Sequence, residues 1–214
     1  MATELSEVGG MAFIGATPWH KLGTRLDETA TMDDWYIKAG LDFQVEKVQL
    51  HTYENEQAKP VNFFATVRSD TRKVLGYVGD SWRPLQNKDA FGWFKPYIES
   101  GLCKLHTAGV LREGGRVWVL ANIVDDKPLE VVKGDEIAQF LMLSNGHDGK
   151  LSVRVGFTPI RIVCANTLRM AHNDKASKLI RVRHSGKVKQ NVDSLRDVID
   201  LAKREFAGTV EQYQ

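Results

Sequence analysis

The spacing of apolar and polar residues changes several times along the chain, and each change predicts a different secondary structure. Thr31 precedes apolar residues at helical spacing and Gly40 follows them, which predicts a short helix capped by Thr31. The period then shortens towards two, as in strands. Three strands and a second helix are predicted there: residues 43–50, 62–68 and 74–78, then a helix that opens at Asn87 or Asp89.

The second half of the chain predicts two antiparallel hairpins. Gly114-Gly115 closes the first, because glycine readily adopts the positive φ of tight hairpin turns, and Asn145-Gly146 closes the second. In the last of these strands apolar residues alternate with polar ones, which predicts that Arg154 lies on an exposed face of the sheet. The four strands are predicted at residues 104–112, 116–124, 136–144 and 150–157.

The stretch GFTPIRIVCANTLRMAH, residues 156–172, combines an apolar run with two arginines. Arg161 alternates with apolar neighbours, which predicts a strand with one apolar face and one cationic face. Asn166 or Thr167 is then expected to cap a helix whose first turns present Arg169. Arginines on a rigid sheet face, followed by a flexible basic segment, are typical of a groove for a phosphate backbone.

Together these elements predict an α+β fold, mainly antiparallel sheet with flanking helices, in which a helix, three strands and a helix form the core and hairpins extend it. The C-terminal helix is expected to open at Asn191 or Asp193, with an apolar stripe that extends to Phe206. The abrupt end at GTVEQYQ indicates a fragment of a longer protein. The predicted sections are an N-terminal arm (1–30), an α+β core (31–172), a mobile basic loop or ribbon (173–190) and the C-terminal helix (191–214).

The positive charge of the chain is concentrated in one segment. Residues 150–189 hold ten basic residues and one acid, which gives +9, whereas residues 1–149 sum to −5 and residues 191–214 to −2. Such a concentration is typical of a protein that holds a polyanion. The alternative is a solvated basic arm that has no ligand.

Aromatic and basic residues supply the candidate binding residues. Trp82 beside Arg83 suits a pair in which the ring stacks on a nucleobase and the arginine meets a phosphate, although a structural role for this tryptophan fits the pattern equally. Trp19 beside His20 is interpreted as structural. The residues predicted to contact DNA are Arg154, Arg161, Arg169, Lys175, Lys178, Arg181, Arg183, Trp82 and Arg83.

The sequence contains no motif for catalysis or for cofactor binding. It has no phosphate-binding glycine loop, no dinucleotide fingerprint and no acidic metal cluster, so neither an enzyme nor a cofactor is expected. Cys103 with His106, and Cys164 with His172, are of zinc-ligand type. No second closely spaced pair supports a zinc site, however, and Cys164 suits a small core position.

The cellular location is predicted from what the sequence lacks. It has only two cysteines, no apolar run long enough to span a bilayer, and an acidic N-terminus without the apolar core of a signal peptide. We therefore expect a cytoplasmic protein with reduced thiols and no contact with a membrane.

Three phrases of the chain resemble the phage/plasmid-like protein family, a conserved domain of phages, plasmids and bacterial mobile elements that has no assigned activity. They are TPWHKLGT at 17–24, VGDSWRPLQN at 78–87 and GFTPIRIVCANTLRMA at 156–171. The resemblance covers most of the chain and implies a mobile-element origin and cytoplasmic expression. It implies no catalytic residues. Members usually continue beyond the point where this chain ends.

A second resemblance concerns the order of the elements. The helix, three antiparallel strands and helix of residues 31–99 are similar in order to the core of single-strand annealing recombinases. Those proteins form rings or filaments and hold single-stranded DNA in a basic groove, and phages and plasmids commonly encode them. No motif accompanies this similarity.

These observations lead to the hypothesis of a non-enzymatic, oligomeric DNA-binding protein that binds single strands and promotes their annealing. Its expected partners are single-stranded DNA, further copies of the chain in a ring or filament, and phage or host recombination proteins. The apolar stripe of the C-terminal helix is the predicted subunit contact. The alternatives are a nucleic-acid-processing enzyme such as a nuclease, and a phage inhibitor or structural protein whose basic segment meets an acidic protein.

Overall fold

The computed structural model describes residues 8–124, 129–132, 135–137, 139–197 and 199. Within these residues the helices are α1 (Met32–Lys38), α2 (Asn87–Gly92), α3 (Lys95–Glu99), α4 (Ala165–Asn173) and α5 (Val188–Asp193). The strands are β1 (Val8–Phe13), β2 (Thr24–Arg25), β3 (Val45–Glu54), β4 (Gln57–Arg68), β5 (Val74–Gly79), β6 (Cys103–Leu111), β7 (Arg116–Ile123), β8 (Leu129–Val132), β9 (Asp135–Ile137), β10 (Phe140–Gly146), β11 (Val153–Thr158) and β12 (Lys178–Val182).

A large sheet forms the centre of the described residues. Its seven strands lie in the order β12-β11-β10-β7-β6-β1-β2, and only β1 and β2 run parallel to each other. One face packs against α1, α2, α3 and α5 through residues such as Trp35, Phe94 and Val192. The opposite face packs against α4 and the segment before it, where Ile162 and Leu168 meet Trp118. Helices therefore cover both faces of this sheet.

A smaller sheet, in the order β3-β4-β5, lies beside the turn that follows β10. The hydroxyl of Thr66 in β4 donates to the backbone oxygen of His147 at 2.7 Å, and His147 Nε2 shares a hydrogen bond of 2.8 Å with Asn87 Oδ1. Thr66, Asn87 and His147 are all buried. A buried polar network thus joins the small sheet, the start of α2 and the large sheet. A third sheet among the described residues consists of β8 and β9, which pair antiparallel.

The predicted α+β class, with mainly antiparallel sheet, is confirmed. Thr31 caps α1 as expected: its hydroxyl accepts from the backbone N–H of Asp34, whose carboxylate accepts from Thr31 in return. The three strands of the small sheet and the β6–β7 hairpin are also confirmed, although β3 and β4 are longer than predicted. Local signals were sufficient for these elements.

The prediction of a turn at Asn145-Gly146 is wrong. Both residues belong to β10, and the connection to β11 follows them. The Asn145 side chain is buried and donates to the backbone oxygen of Leu85 at 2.8 Å, so it joins two parts of the chain that are distant in sequence. The predicted strand over 136–144 is also divided, because residues 136–137 lie in β9.

The basic loop or ribbon predicted at 173–190 is largely regular structure. Residues 178–182 are β12, which pairs antiparallel with β11 at the edge of the large sheet. Helix α5 begins at Val188, before the predicted Asn191 or Asp193. The sequence pattern missed β12 because Lys178 and Arg181 interrupt its few apolar residues, and pairing with β11 is what stabilises the strand. The remainder of the predicted C-terminal helix, including Phe206, lies outside the described residues, as do residues 1–7 of the predicted arm.

None of the helices in the described part of the chain has the length and apolar character needed to cross a membrane.

Candidate nucleic-acid interface

Two of the three phrases that carry the family resemblance are in contact. His20 Nε2 lies 2.9 Å from the backbone oxygen of Val163, and Arg161 Nη2 donates to the backbone oxygen of Ala16 at 2.7 Å. The first phrase therefore folds across the segment that precedes α4. The remaining phrase, VGDSWRPLQN around Trp82, makes other contacts.

The prediction that Arg161 lies on an open sheet face is wrong. The segment around Arg161 is not a strand, and its neighbours Ile162 and Val163 are both buried. An alternating strand with one solvent face would expose one of these two residues. Arg161 itself is half-buried, and burial lowers its pKa. Its contact with Ala16 makes it a residue that fastens the N-terminal segment.

Arg154 was also predicted to lie on an exposed sheet face, and this prediction is wrong too. In β11 it stands opposite Ser144 of β10 and Arg181 of β12, on the face that α4 covers. The guanidinium is half-buried, and its Nη1 donates to the backbone oxygen of His172 at 3.2 Å. Arg154 therefore satisfies a carbonyl in the last turn of α4, where a positive charge also suits the helix dipole.

Strand register brings a third arginine to the same face. Arg116 in β7 pairs with Gly146, two residues beyond Ser144 in β10, so its side chain points to the same side as those of Ser144 and Arg154. Its Nε donates to Asp148 Oδ2 at 3.1 Å. We refer to Arg116, Arg154 and Arg181 as the arginine cluster.

The arginine cluster contains more positive charge than its carboxylates neutralise. Arg116 is ion-paired with Asp148, whereas the side chains of Arg154 and Arg181 form no ion pair with any described residue. The Nε of Arg154 is buried and has no hydrogen-bond partner. Burial, and then the charges of Arg181 and Arg116, lower the pKa of Arg154. The structure thus concentrates cations at a place where it provides few anions.

His172 is enclosed by the arginine cluster. Its Nε2 and the hydroxyl of Ser144 share a hydrogen bond of 2.8 Å. Burial, followed by the charges of Arg154, Arg116 and Arg181, lowers the pKa of His172 to about 3. The imidazole is therefore neutral at pH 7 and adds no further charge. Ser144 is fully buried, so this pair serves as a hydrogen-bonded support beneath the arginines.

Trp82 and Arg83 lie against the residues that follow β12. The ring of Trp82 stacks on His184, with centroids 4.9 Å apart and an interplanar angle of 24°. His184 Nδ1 lies 3.0 Å from the backbone oxygen of Arg83, and burial is the main cause of the lowered pKa of His184. The Arg83 side chain donates to the backbone oxygens of Asp80 and Trp82. This loop is therefore fixed beside Arg183, close in sequence to Arg181.

The other predicted binding residues are exposed. Arg169 extends from α4 and donates to Asn166 Oδ1 at 2.9 Å. Lys175, Lys178 and Arg183 are exposed before, within and after β12. Arg161 does not join this group, because it precedes the start of α4 whereas Arg154 contacts its last turn. A helix of nine residues separates the two positions by about 13 Å.

Sequence reasoning missed Arg116, Ser144 and His172 as parts of the site. Ser144 and Arg154 lie in adjacent strands, but only the register of β10 with β7 and β11 brings Arg116 to the same face. A positive residue at 116 has no sequence signal that distinguishes it from other surface arginines.

Within the described residues, no group of three or more His, Cys, Asp or Glu side chains is arranged to hold a metal ion. Cys103 lies in β6 and Cys164 immediately precedes α4, and both are buried.

The comparisons with known proteins bear on the family. Residues 74–214 match the model of a domain of unknown function, DUF932. No curated protein and no solved structure matches the chain. The matched region begins at β5 and includes α4, β12 and all three members of the arginine cluster. Since it covers more than half of the sequence, the chain belongs to the DUF932 family.

Proposed function

We propose that this protein binds single-stranded DNA, without catalysing a reaction on it, and holds the strand for annealing. The observation that carries the proposal is the arginine cluster, in which Arg154 and Arg181 have no carboxylate partner among the described residues. Buried or half-buried cations are costly unless an anion compensates them. A phosphate backbone supplies such anions.

The surroundings of the arginine cluster extend this surface. Lys175, Lys178 and Arg183 are exposed along the same edge of the large sheet, and Arg169 is exposed on α4. Successive cations of this kind follow a phosphate backbone and release its counterions. The favourable free energy of that release is independent of base sequence, so a protein that binds in this way accepts many sequences.

A preference for single strands is supported by Trp82. Proteins that hold single-stranded nucleic acid combine a basic surface with aromatic rings on which bases stack. The stack of Trp82 on His184 fixes such a ring beside the end of β12. Bases that are not stacked here remain accessible for pairing with a complementary strand, which is the basis of the proposed annealing.

The origin and assembly of the protein belong to the same proposal. The phage/plasmid-like resemblance supports a mobile-element origin and a cytoplasmic location, and the recombinase-like order of elements supports a ring or filament. The apolar stripe of the C-terminal helix no longer serves as the proposed subunit contact, however. Val192, Leu195 and Ile199 of the C-terminal stripe are buried in the core of their own domain, so these residues are not available to a second copy.

The proposal is tested by fluorescence anisotropy with a labelled oligonucleotide, single-stranded or duplex, across a range of salt concentrations. We expect tighter binding of the single strand. The slope of log affinity against log salt is expected to be about −0.7 for each neutralised phosphate, hence about −2 for three contacts. A flat salt titration, or no binding at low salt, would overturn the proposal and favour the protein-binding alternative.

Two controls separate the remaining alternatives. Cleavage of the oligonucleotide in the presence of magnesium would favour the nuclease. Light scattering with and without the oligonucleotide tests assembly, and a strict monomer in both conditions would remove the ring or filament and most of the support for annealing.

A further inference from the structure

We infer that the arginine cluster is a site for a terminal phosphate monoester, the phosphorylated end of a nucleic-acid strand, rather than for the phosphodiesters within it. This inference rests on the proposed function, since it names the part of the strand that the site receives. The charge of the site, its geometry and the fixed position of one guanidinium favour such a group.

The charge of the site suits a dianion. Within the arginine cluster, Arg116 is ion-paired with Asp148 at 3.1 Å. Arg112, outside the cluster, lies 4.0 Å from the same carboxylate and has a further interaction of its own. His172 is neutral at pH 7. Two positive charges, those of Arg154 and Arg181, are left without a carboxylate among the described residues. A phosphate monoester carries about −1.5 to −2 at pH 7, whereas each internal phosphodiester carries a single charge. The monoester supplies this charge on a single group, whereas two successive phosphodiesters would be needed to supply it.

The geometry favours the end of a strand. Arg154 is half-buried between the large sheet and the last turn of α4, and Arg181 stands directly opposite it on the edge strand β12. An internal phosphodiester is flanked by sugars on both sides and suits the fully exposed lysines and arginines nearby. A terminal phosphate has a free side, which allows it to enter between the two guanidinium groups.

Arg154 is held in position before any ligand binds. Its Nη1 is hydrogen-bonded to the His172 carbonyl, and the His172 ring is itself bonded to the buried Ser144. The Nε of Arg154 is buried without an acceptor. A planar guanidinium presents two parallel N–H groups to a phosphate, and a fixed one loses little side-chain entropy on binding. A phosphate held between Arg154 and Arg181 brings acceptor oxygens to this guanidinium.

A purely structural explanation assigns Arg154 to the capping of α4 and leaves Arg181 without a role. The two explanations differ at Arg181, because its side chain is exposed and bonds to no described residue. Arg181→Gln is therefore expected to fold normally while it weakens the site. Arg72→Gln is the matched control. Arg72 is also an exposed arginine, but it is ion-paired with Glu46 of the small sheet.

The experiment compares oligonucleotides of one sequence that carry a 5′-phosphate, a 3′-phosphate or hydroxyl groups at both ends. For the wild-type protein we expect at least one phosphorylated end to bind roughly tenfold more tightly than the hydroxyl form, as for a charge-assisted hydrogen bond. The difference should disappear in Arg181→Gln and persist in Arg72→Gln. Inorganic phosphate should compete with the phosphorylated oligonucleotide more effectively than with the hydroxyl form. Thermal melting of both variants checks their folding.

The possible results separate this inference from the proposed function. Equal affinity for phosphorylated and hydroxyl ends would overturn the inference and leave DNA binding intact. A preference for phosphorylated ends that survives in Arg181→Gln would also overturn it, because the end is then held elsewhere. Binding of inorganic phosphate alone, without binding of any oligonucleotide, would overturn both the strand-end assignment and the proposed function.

Discussion

The small sheet and the edge of the large sheet hold their positive charges in different surroundings. Residues 45–80, which form the small sheet, contain five basic and five acidic residues, for a net charge of zero. Each of the five cations is ion-paired in the structure: Lys47 with Asp80, Lys59 with Glu54, Arg68 with Asp70, Arg72 with Glu46, and Lys73 with Glu113. Every cation of the small sheet thus has a carboxylate partner.

Residues 150–189, which include the edge of the large sheet, have no such balance: they contain ten basic residues and one acidic residue. Among these ten cations, Lys189 is ion-paired with Asp89 and Asp193, and Arg154, Arg161 and Arg181 have no carboxylate partner among the described residues. Arg161 donates to a carbonyl, whereas Arg154 and Arg181 stand opposite each other and form no ion pair with a described residue. The exposed Lys175, Lys178 and Arg183 form none either. The difference shows that the number of cations does not identify a binding surface. The proposed binding surface rests instead on the absence of internal partners within the described chain.

The largest expected effect concerns the attachment of the cationic edge strand. Gly156 in β11 has a φ of 149°, and an added Cβ would overlap the backbone oxygen of Lys178 in β12. Gly156→Ala is therefore expected to lower the free energy of unfolding by roughly 2–4 kcal/mol through strain and a displaced ladder. Urea denaturation measures this change.

The matched control lies on the small sheet. Gly79 ends β5, and a Cβ there would meet no other atom within 4 Å. Gly79→Ala is expected to change the free energy of unfolding by less than about 0.5 kcal/mol. Similar losses at the two glycines would show that the close approach of Gly156 to β12 is not the cause of its sensitivity.

The next effect concerns DNA affinity. Reversal of two unpaired charges, in the double variant Arg181→Glu with Arg183→Glu, is expected to weaken single-strand binding by about 100-fold, since each removes a phosphate contact and adds repulsion. The double variant Arg72→Glu with Lys73→Glu changes the same charge on the small sheet and is expected to bind within about twofold of wild type. Anisotropy titrations at one salt concentration compare them. Equal losses would mean that net charge alone determines affinity.

A smaller effect for each pH unit is expected at the buried junction between the two sheets. Burial, and secondarily the charge of His184, lowers the pKa of His147 to about 3, whereas an unfolded histidine titrates near 6.5. Between about pH 6.5 and 3 the unfolded chain binds a proton that the folded chain does not. Stability therefore falls as the pH falls, by about 1.4 kcal/mol per pH unit from this residue.

Replacement of His147 isolates this contribution. His147→Gln removes the titrating group, so its free energy of unfolding should depend less steeply on pH than that of the wild type across this window. Denaturation at several pH values gives both slopes. Identical slopes would show that His147 is not the group whose protonation weakens the junction.

The smallest effect is expected from a single ion pair of the small sheet. Arg72 and Glu46 are both well exposed, so solvent screens their attraction. Arg72→Gln is expected to lower the free energy of unfolding by less than about 1 kcal/mol, measured by urea denaturation. A larger loss would show that the charges of the small sheet hold its fold together rather than only balance one another.

Several elements were predictable because their signals are local. The helix α1 depends on Thr31 and Asp34, which bond to each other across one turn. The β6–β7 hairpin depends on a short connection between two apolar strands. Other elements depend on distant partners. Asn145 resembles a turn residue, yet it is buried in β10 because Leu85 accepts its hydrogen bond. No window of sequence around Asn145 contains that partner.

In the candidate site, too, some features follow from the sequence and others depend on distant partners. The sequence by itself determined that the fold is α+β and that positive charge is concentrated in residues 150–189. Only the tertiary structure decided which of these cations remain unpaired. It directed Arg161 to the carbonyl of Ala16, and it set Arg154 beside Arg181 and near Arg116. The physical reason is that composition fixes how much charge a segment carries, whereas strand register and helix packing fix whether a compensating group is within reach.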